Sequence, residues 1–250
     1  MAIPVAWARA AALAVVVAAG CATVSREEAL KLGSFERVPG KGAYPGAILG
    51  APHSGDTRTD AITRDVAHDL GLPAVIAHGF TKKETGDLRL NVNRPTEGAG
   101  LAVDQEGWTA RADAVFQEYK RNLLESSGGR LDVLVEFHCT ADHLTGGAIN
   151  VGTKGLTAEQ ARHLKDIYRR VLDRTAAGTN IRRVDMLIEP VDSVPMGSGA
   201  AKKMGTPTLA RIAMEIEMPL SITPLAVGDG PYRKVYGAFL REAIPYLQAR

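Results

Sequence analysis

Two histidines far apart in the chain stand where a cation could be held. His53 and Asp56 lie three apart in Ala51-Pro52-His53-Ser54-Gly55-Asp56, directly after a short apolar run. A glycine-containing turn can fold that carboxylate back beside the imidazole so that both face one ion. Taken alone, the pattern is also that of a loop histidine paired with an acid. His138 closes the run Val133-Leu134-Val135-Glu136-Phe137 and offers a third donor at a strand end, or is a histidine satisfied there by hydrogen bonds. Zinc accepts imidazole nitrogen and carboxylate oxygen, and hydrolytic zinc sites keep three protein ligands and one open position. Cys139 is a softer donor beside it, but alternation along a strand turns it to the opposite face, so it reads as a small buried thiol.

Two further patterns could complete a reaction. In Asn91-Val92-Asn93-Arg94-Pro95, the planar fork of Arg94 can grip a carboxylate through two bonds, with Asn93 as an added donor; the plain alternative is a surface ion pair. In Ala213-Met214-Glu215-Ile216-Glu217-Met218, two acids share one face of an apolar strand. Burying them costs free energy unless they are partnered, which suits a general base beside a metal; an edge strand with two solvated acids is the alternative. Ser54 as a nucleophile lacks the Gly-x-Ser-x-Gly elbow. Gly197-Ser198-Gly199 lacks the Gly-Lys-Ser/Thr ending of a phosphate loop and reads as a mobile loop near the pocket.

These residues need a scaffold, and the apolar spacing supplies one. Ala47–Ala51, Ala74–Ala77, Leu88–Val92, Leu131–Phe137, Asn150-Val151, Met186–Pro190 and Leu209–Met218 read as strands. Ile62, Val66 and Leu70, four apart, predict a helix capped by Thr59 or Asp60 and stopped by Gly71. A second helix opens at Thr109, and a third carries a capping box at Thr157 and Gln160. The last begins near Tyr232 and must bend or restart at Pro245. Alternating strands and helices predict one α/β domain over residues 43–250, with a mainly parallel or mixed sheet covered by helices on both faces. Every candidate sits at the carboxyl end of a strand, where such sheets gather their sites.

Pro52-His53-Ser54-Gly55, Val92-Asn93-Arg94-Pro95, Glu136-Phe137-His138 and Ile216-Glu217-Met218, in that order, resemble the N-formylglutamate amidohydrolases. The likeness extends more distantly to the zinc carboxypeptidases and to the deacylases of succinylglutamate and aspartate, and it spans residues 47–218. The resemblance implies a zinc-carboxypeptidase-like fold and zinc held by His53, Asp56 and His138. Glu217 would activate water, and Asn93 with Arg94 would hold a substrate carboxylate. Asp60 is the alternative acid ligand, Glu215 the alternative base, and Arg58 or Arg89 the cation that would steady the oxyanion. The implied reaction is hydrolysis of an amide in an N-acyl amino acid or a glutamyl peptide. The alternative is a non-catalytic lipoprotein binding a carboxylated ligand.

The amino terminus points to export. Residues 1–21 pass from Arg9 through an apolar stretch to Ala18-Ala19-Gly20-Cys21, the layout of a secretion signal that ends in a Gly-Cys resembling a lipobox. The stretch is too short to span a bilayer, which takes about 20 apolar residues. Lipid on Cys21 would anchor the protein at the membrane surface, facing the periplasm or cell exterior, and residues 22–42 read as a tether. Cys139 would then be the only other cysteine, so no intramolecular disulfide is expected. Net charge is +2 with the signs interspersed, which gives no footprint for nucleic acid.

Overall fold

A computed structural model describes residues 26–54, 58–80, 90–98, 105–177 and 180–249. The signal and lipobox, Asp56 and Arg89 lie outside the described residues. Among those described, no helix is long and apolar enough to cross a membrane.

Seven strands form one mixed sheet in the order β1-β3-β2-β6-β9-β7-β8. They are β1 (Ser34–Val38), β2 (Ala47–Ala51), β3 (Ala74–His78), β6 (Val133–Thr140), β7 (Ile149–Lys154), β8 (Met186–Ile188) and β9 (Ile212–Pro219). The centre, β3-β2-β6-β9, is parallel, while β1 and β7 run antiparallel to β3 and β9. A two-stranded ribbon, β4 (Thr96–Glu97) with β5 (Gly107–Trp108), lies apart. The longer helices are α2 (Thr59–Leu70), α3 (Ala110–Ser126), α5 (Ala158–Ala176) and α7 (Pro231–Gln248); α1 (Arg26–Lys31), α4 (Asp142–Thr145) and α6 (Gly199–Met204) are short.

Strand alternation divides the chain between two cores. Val133, Val135 and Phe137 of β6, with Ile212, Met214, Ile216 and Met218 of β9, pack under α2, α5 and α7. Leu134 and Ala213 face the other way, onto Ala112, Val115, Tyr119 and Leu123 of α3. Helices thus cover both faces, as expected.

Several boundaries differ from those read from the sequence. Residues 34–38, expected within a tether, form an edge strand paired with β3, because Phe35 stacks on Phe80 and Tyr119 at 5.1 and 5.8 Å. Leu90 makes only an isolated bridge to Glu97, and 81–89 lie outside the described residues. At α2 the cap is Arg58, and the Thr59 hydroxyl instead donates to the His53 carbonyl at 2.8 Å. Pro245 falls inside α7, which runs on to Gln248 as one element. Thr109, the Thr157–Gln160 capping box and Gly71 terminate their helices as expected.

Candidate metal centre

The site is built where β6 and β9 run side by side in register. Glu136 pairs with Glu215 and His138 with Glu217, so four polar side chains emerge from one face near the carboxyl edge. All four are buried. Neighbouring strands leave room for them. Gly50 of β2 pairs with Glu136, and a β-carbon there would collide with the Tyr119 hydroxyl and crowd Glu136. On the other side Gly152 of β7 pairs with Glu215, and a β-carbon there would lie 2.9 Å from the Gly197 carbonyl. The loop before α6 therefore settles onto the sheet, with the Met196 amide donating to Asn150 Oδ1 at 3.0 Å. It brings the Ser198 side chain to Glu215. Among the described residues, Ser198 and Arg58 are the non-glycine residues with positive φ, at 52° and 57°. Ser198 adjoins the site through Glu215, where backbone strain tends to be retained.

His53 follows β2, and its ring centroid lies 5.3 Å from that of His138. Ser54 holds this turn down by donating to the Ala77 carbonyl, and it also lies 3.3 Å from His78 Nδ1. His78 Nε2 stands 3.0 Å from Glu36, whose carboxylate is gripped at both oxygens by Arg64. Arg64 holds the Glu36 carboxyl down to about 2, against burial and with help from His78. Ser54 is itself buried, a position suited to anchoring the turn rather than to attack on a substrate.

Among the described residues, Glu136, His138 and Glu215 each bring one ligand atom within 4.8 Å of the others. His138 Nε2 lies 3.8 Å from Glu136 Oε2 and 3.7 Å from Glu215 Oε1. Glu136 Oε1, Glu215 Oε2 and His138 Nε2 are buried without a hydrogen-bond partner among the described residues. Buried carboxylates and an imidazole left in that state cost free energy, and together they form a donor set that fits a divalent cation. Proton occupancy reflects the same crowding. Burial pushes the Glu215 carboxyl up to about 8, reinforced by Glu136 and opposed by His138. Burial lowers the His138 imidazole, yet Glu136 beside it and the charges of Glu217 and Glu215 carry it up to about 9.

The structure thus brings together His53, His138 and Glu217 of the expected site and adds Glu136, which the sequence presented only as part of an apolar strand. A signal was available: Glu136 stands two residues before His138, on its face. Asp60, the alternative ligand, lies in the first turn of α2 with its carboxylate 4.0 Å from Arg64. Asn93 donates to Glu215 Oε1 at 2.9 Å and lies 3.5 Å from Glu136 Oε2. Arg94, expected to offer its fork to a substrate, already holds a carboxylate of the chain. Its Nε and Nη2 donate to Glu106 at 2.7 and 2.5 Å, and its Nη1 donates to Asn93 Oδ1 at 3.0 Å.

No family model matches the chain, and no curated protein matches it in sequence. Solved structures do. An N-formylglutamate amidohydrolase from Ralstonia eutropha JMP134 matches with a TM-score of 0.51 and 14% identity, over 86% of this chain and 97% of that one. A metallo-carboxypeptidase from Burkholderia cenocepacia (TM-score 0.45, 12% identity, 88% and 66% coverage) and a bacteriophage poly-gamma-glutamate hydrolase (0.45, 12%, 86% and 90%) also match. The first of these shows that the chain has the fold of the N-formylglutamate amidohydrolase, as its motifs imply.

Proposed function

We propose that this protein is a metal-dependent amide hydrolase acting on a small-molecule or peptide substrate. The observation that carries this reading is the meeting of two imidazoles, 5.3 Å apart between centroids, over buried carboxylates at the carboxyl edge of the parallel centre of the sheet. The metal would be zinc, held by His53 and His138 with an acid. Asp56 is the acid expected from the turn, and Glu136 and Glu215 are the carboxylates within reach of His138. A zinc ion bound there supplies Lewis acidity toward an amide carbonyl and lowers the pKa of water.

The chain's own residues do the rest. Glu217, in register with His138 one pair nearer the open edge than Glu215, is the general base: it takes a proton from water and returns it to the leaving nitrogen. Glu215, engaged by Asn93 and reached by Ser198, is suited to support rather than proton shuttling. The substrate is an amide of the N-acyl amino acid or glutamyl peptide kind. Export and lipid attachment at Cys21 would place the reaction at a membrane surface facing the periplasm or cell exterior. Palmitate labelling that disappears in Cys21→Ser tests that placement.

Elemental analysis of the purified protein is expected to show near-stoichiometric zinc, with most of it lost in His138→Ala. Wild-type protein that holds no divalent metal, and that releases no amine from N-formyl amino acids after zinc is added, would overturn the proposal.

A further inference from the structure

Thr206 carries a hydroxyl that its own turn does not need. It opens a 3-10 turn over Thr206–Thr208, between α6 and β9, and it is fully enclosed. Its backbone is satisfied on both sides. The amide donates to the Asn93 carbonyl at 2.8 Å, and the carbonyl accepts from the Leu209 amide at 2.9 Å. A valine would fill nearly the same space and keep both bonds. A hydroxyl buried there is costly unless it is partnered, and its partner belongs to the metal centre. Thr206 Oγ1 donates to Glu136 Oε2 at 2.9 Å, and that same oxygen lies 3.8 Å from His138 Nε2.

The remaining surroundings of Glu136 leave this oxygen to Thr206. The Tyr119 hydroxyl and Glu136 Oε1 both crowd the space over Gly50. Burial and the charge of Glu136 push that hydroxyl well above its usual range, so it keeps its proton. Asn93 Nδ2 stands 3.5 Å from Oε2 but 2.9 Å from Glu215 Oε1. We infer that Thr206 is a positioning residue: its hydroxyl aims the Glu136 carboxylate at the His138 ring and so sets how tightly the centre holds its ion. This rests on the hydrolase reading above and adds to it a residue behind the donor set.

The test uses the full chain as wild type and as Thr206→Val, Thr206→Ser and Thr206→Ala. Threonine and valine differ by the hydroxyl at nearly equal shape. Serine and alanine differ by it once the methyl is gone, which keeps the comparison open if Thr206→Val folds poorly. Zinc affinity is read by competition with a chelator, and the melting temperature of the metal-free protein is read beside it. Within each pair the member with the hydroxyl is expected to bind zinc about tenfold more tightly, the lower end of what an outer partner contributes. Loss of the methyl should lower the melting temperature alone, so Thr206→Ser should melt below wild type yet retain its zinc affinity. Zinc affinity that does not follow the hydroxyl in a pair whose members both fold would overturn the inference. So would an equal loss in Thr206→Val and Thr206→Ser, which would make packing the cause. Wild-type protein without zinc would instead overturn the hydrolase reading, and this inference with it.

Discussion

The two faces of β6 and β9 are made from interleaved residues of the same two strands, yet they do opposite things. One face carries Val133, Val135, Phe137, Ile212, Met214, Ile216 and Met218 and is sealed by α2, α5 and α7. The other carries Glu136, His138, Glu215 and Glu217 at its carboxyl end, equally buried but polar. A strand period of two is enough to separate them. The apolar face stabilises the sheet by removing carbon from water and needs no exact partner for any atom. The polar face leaves Glu136 Oε1, Glu215 Oε2 and His138 Nε2 without a hydrogen-bond partner among the described residues and draws its rigidity from what lies behind it. The lesson is that this site is held by the far side of its own strands.

Changes on the two faces should therefore separate chemistry from stability. Glu217→Gln is expected to cost the most in rate, about 10²- to 10⁴-fold in kcat, with zinc content and melting temperature near wild type. If Glu215→Gln gives that pattern and Glu217→Gln does not, the base has been misassigned. Phe137→Ala, one residue from His138 but on the opposite face and edge-on to Tyr236 at 5.5 Å, is expected to cost about 3–5 kcal/mol of stability. Chemical denaturation measures it; a variant that keeps its stability and loses zinc would erase the distinction between the faces.

A smaller effect should come from pH. In the metal-free protein Glu215 and His138 both have raised pKa values. What they contribute to stability is complete below their ordinary values of 4.5 and 6.5, and is lost as pH rises through about 8 and about 9 respectively. The metal-free protein should thus melt lower at pH 9 than at pH 5, by about 2–4 °C for each kcal/mol lost in a chain of this size. Zinc held there would displace those protons, so its affinity should tighten with pH over the same window, by about tenfold per pH unit for each proton released. A zinc affinity flat between pH 6 and 9 would show that neither group gives up a proton to the ion.

Much of this is legible in the chain because the signals are local. The capping box at Thr157, the spacing of Ile62, Val66 and Leu70, and the apolar run into His138 each depend on neighbours a few residues away. The edge strand at 34–38 was not legible as a strand, since Phe35 finds its aromatic partners only at positions 80 and 119. Glu136 was passed over as a site residue because one acid in an apolar strand shows its partners only after β9 is laid beside it.

Sequence alone determined most element types, the face each central-strand residue takes and the order of the motifs, because backbone periodicity and capping are read within a few residues. Tertiary structure decided which acids stand together, that Arg94 pairs with Glu106, and that Gly50 and Gly152 make room for what lies over them. Those outcomes depend on strand order, on register and on how the loops between strands fold back, and no local pattern encodes them.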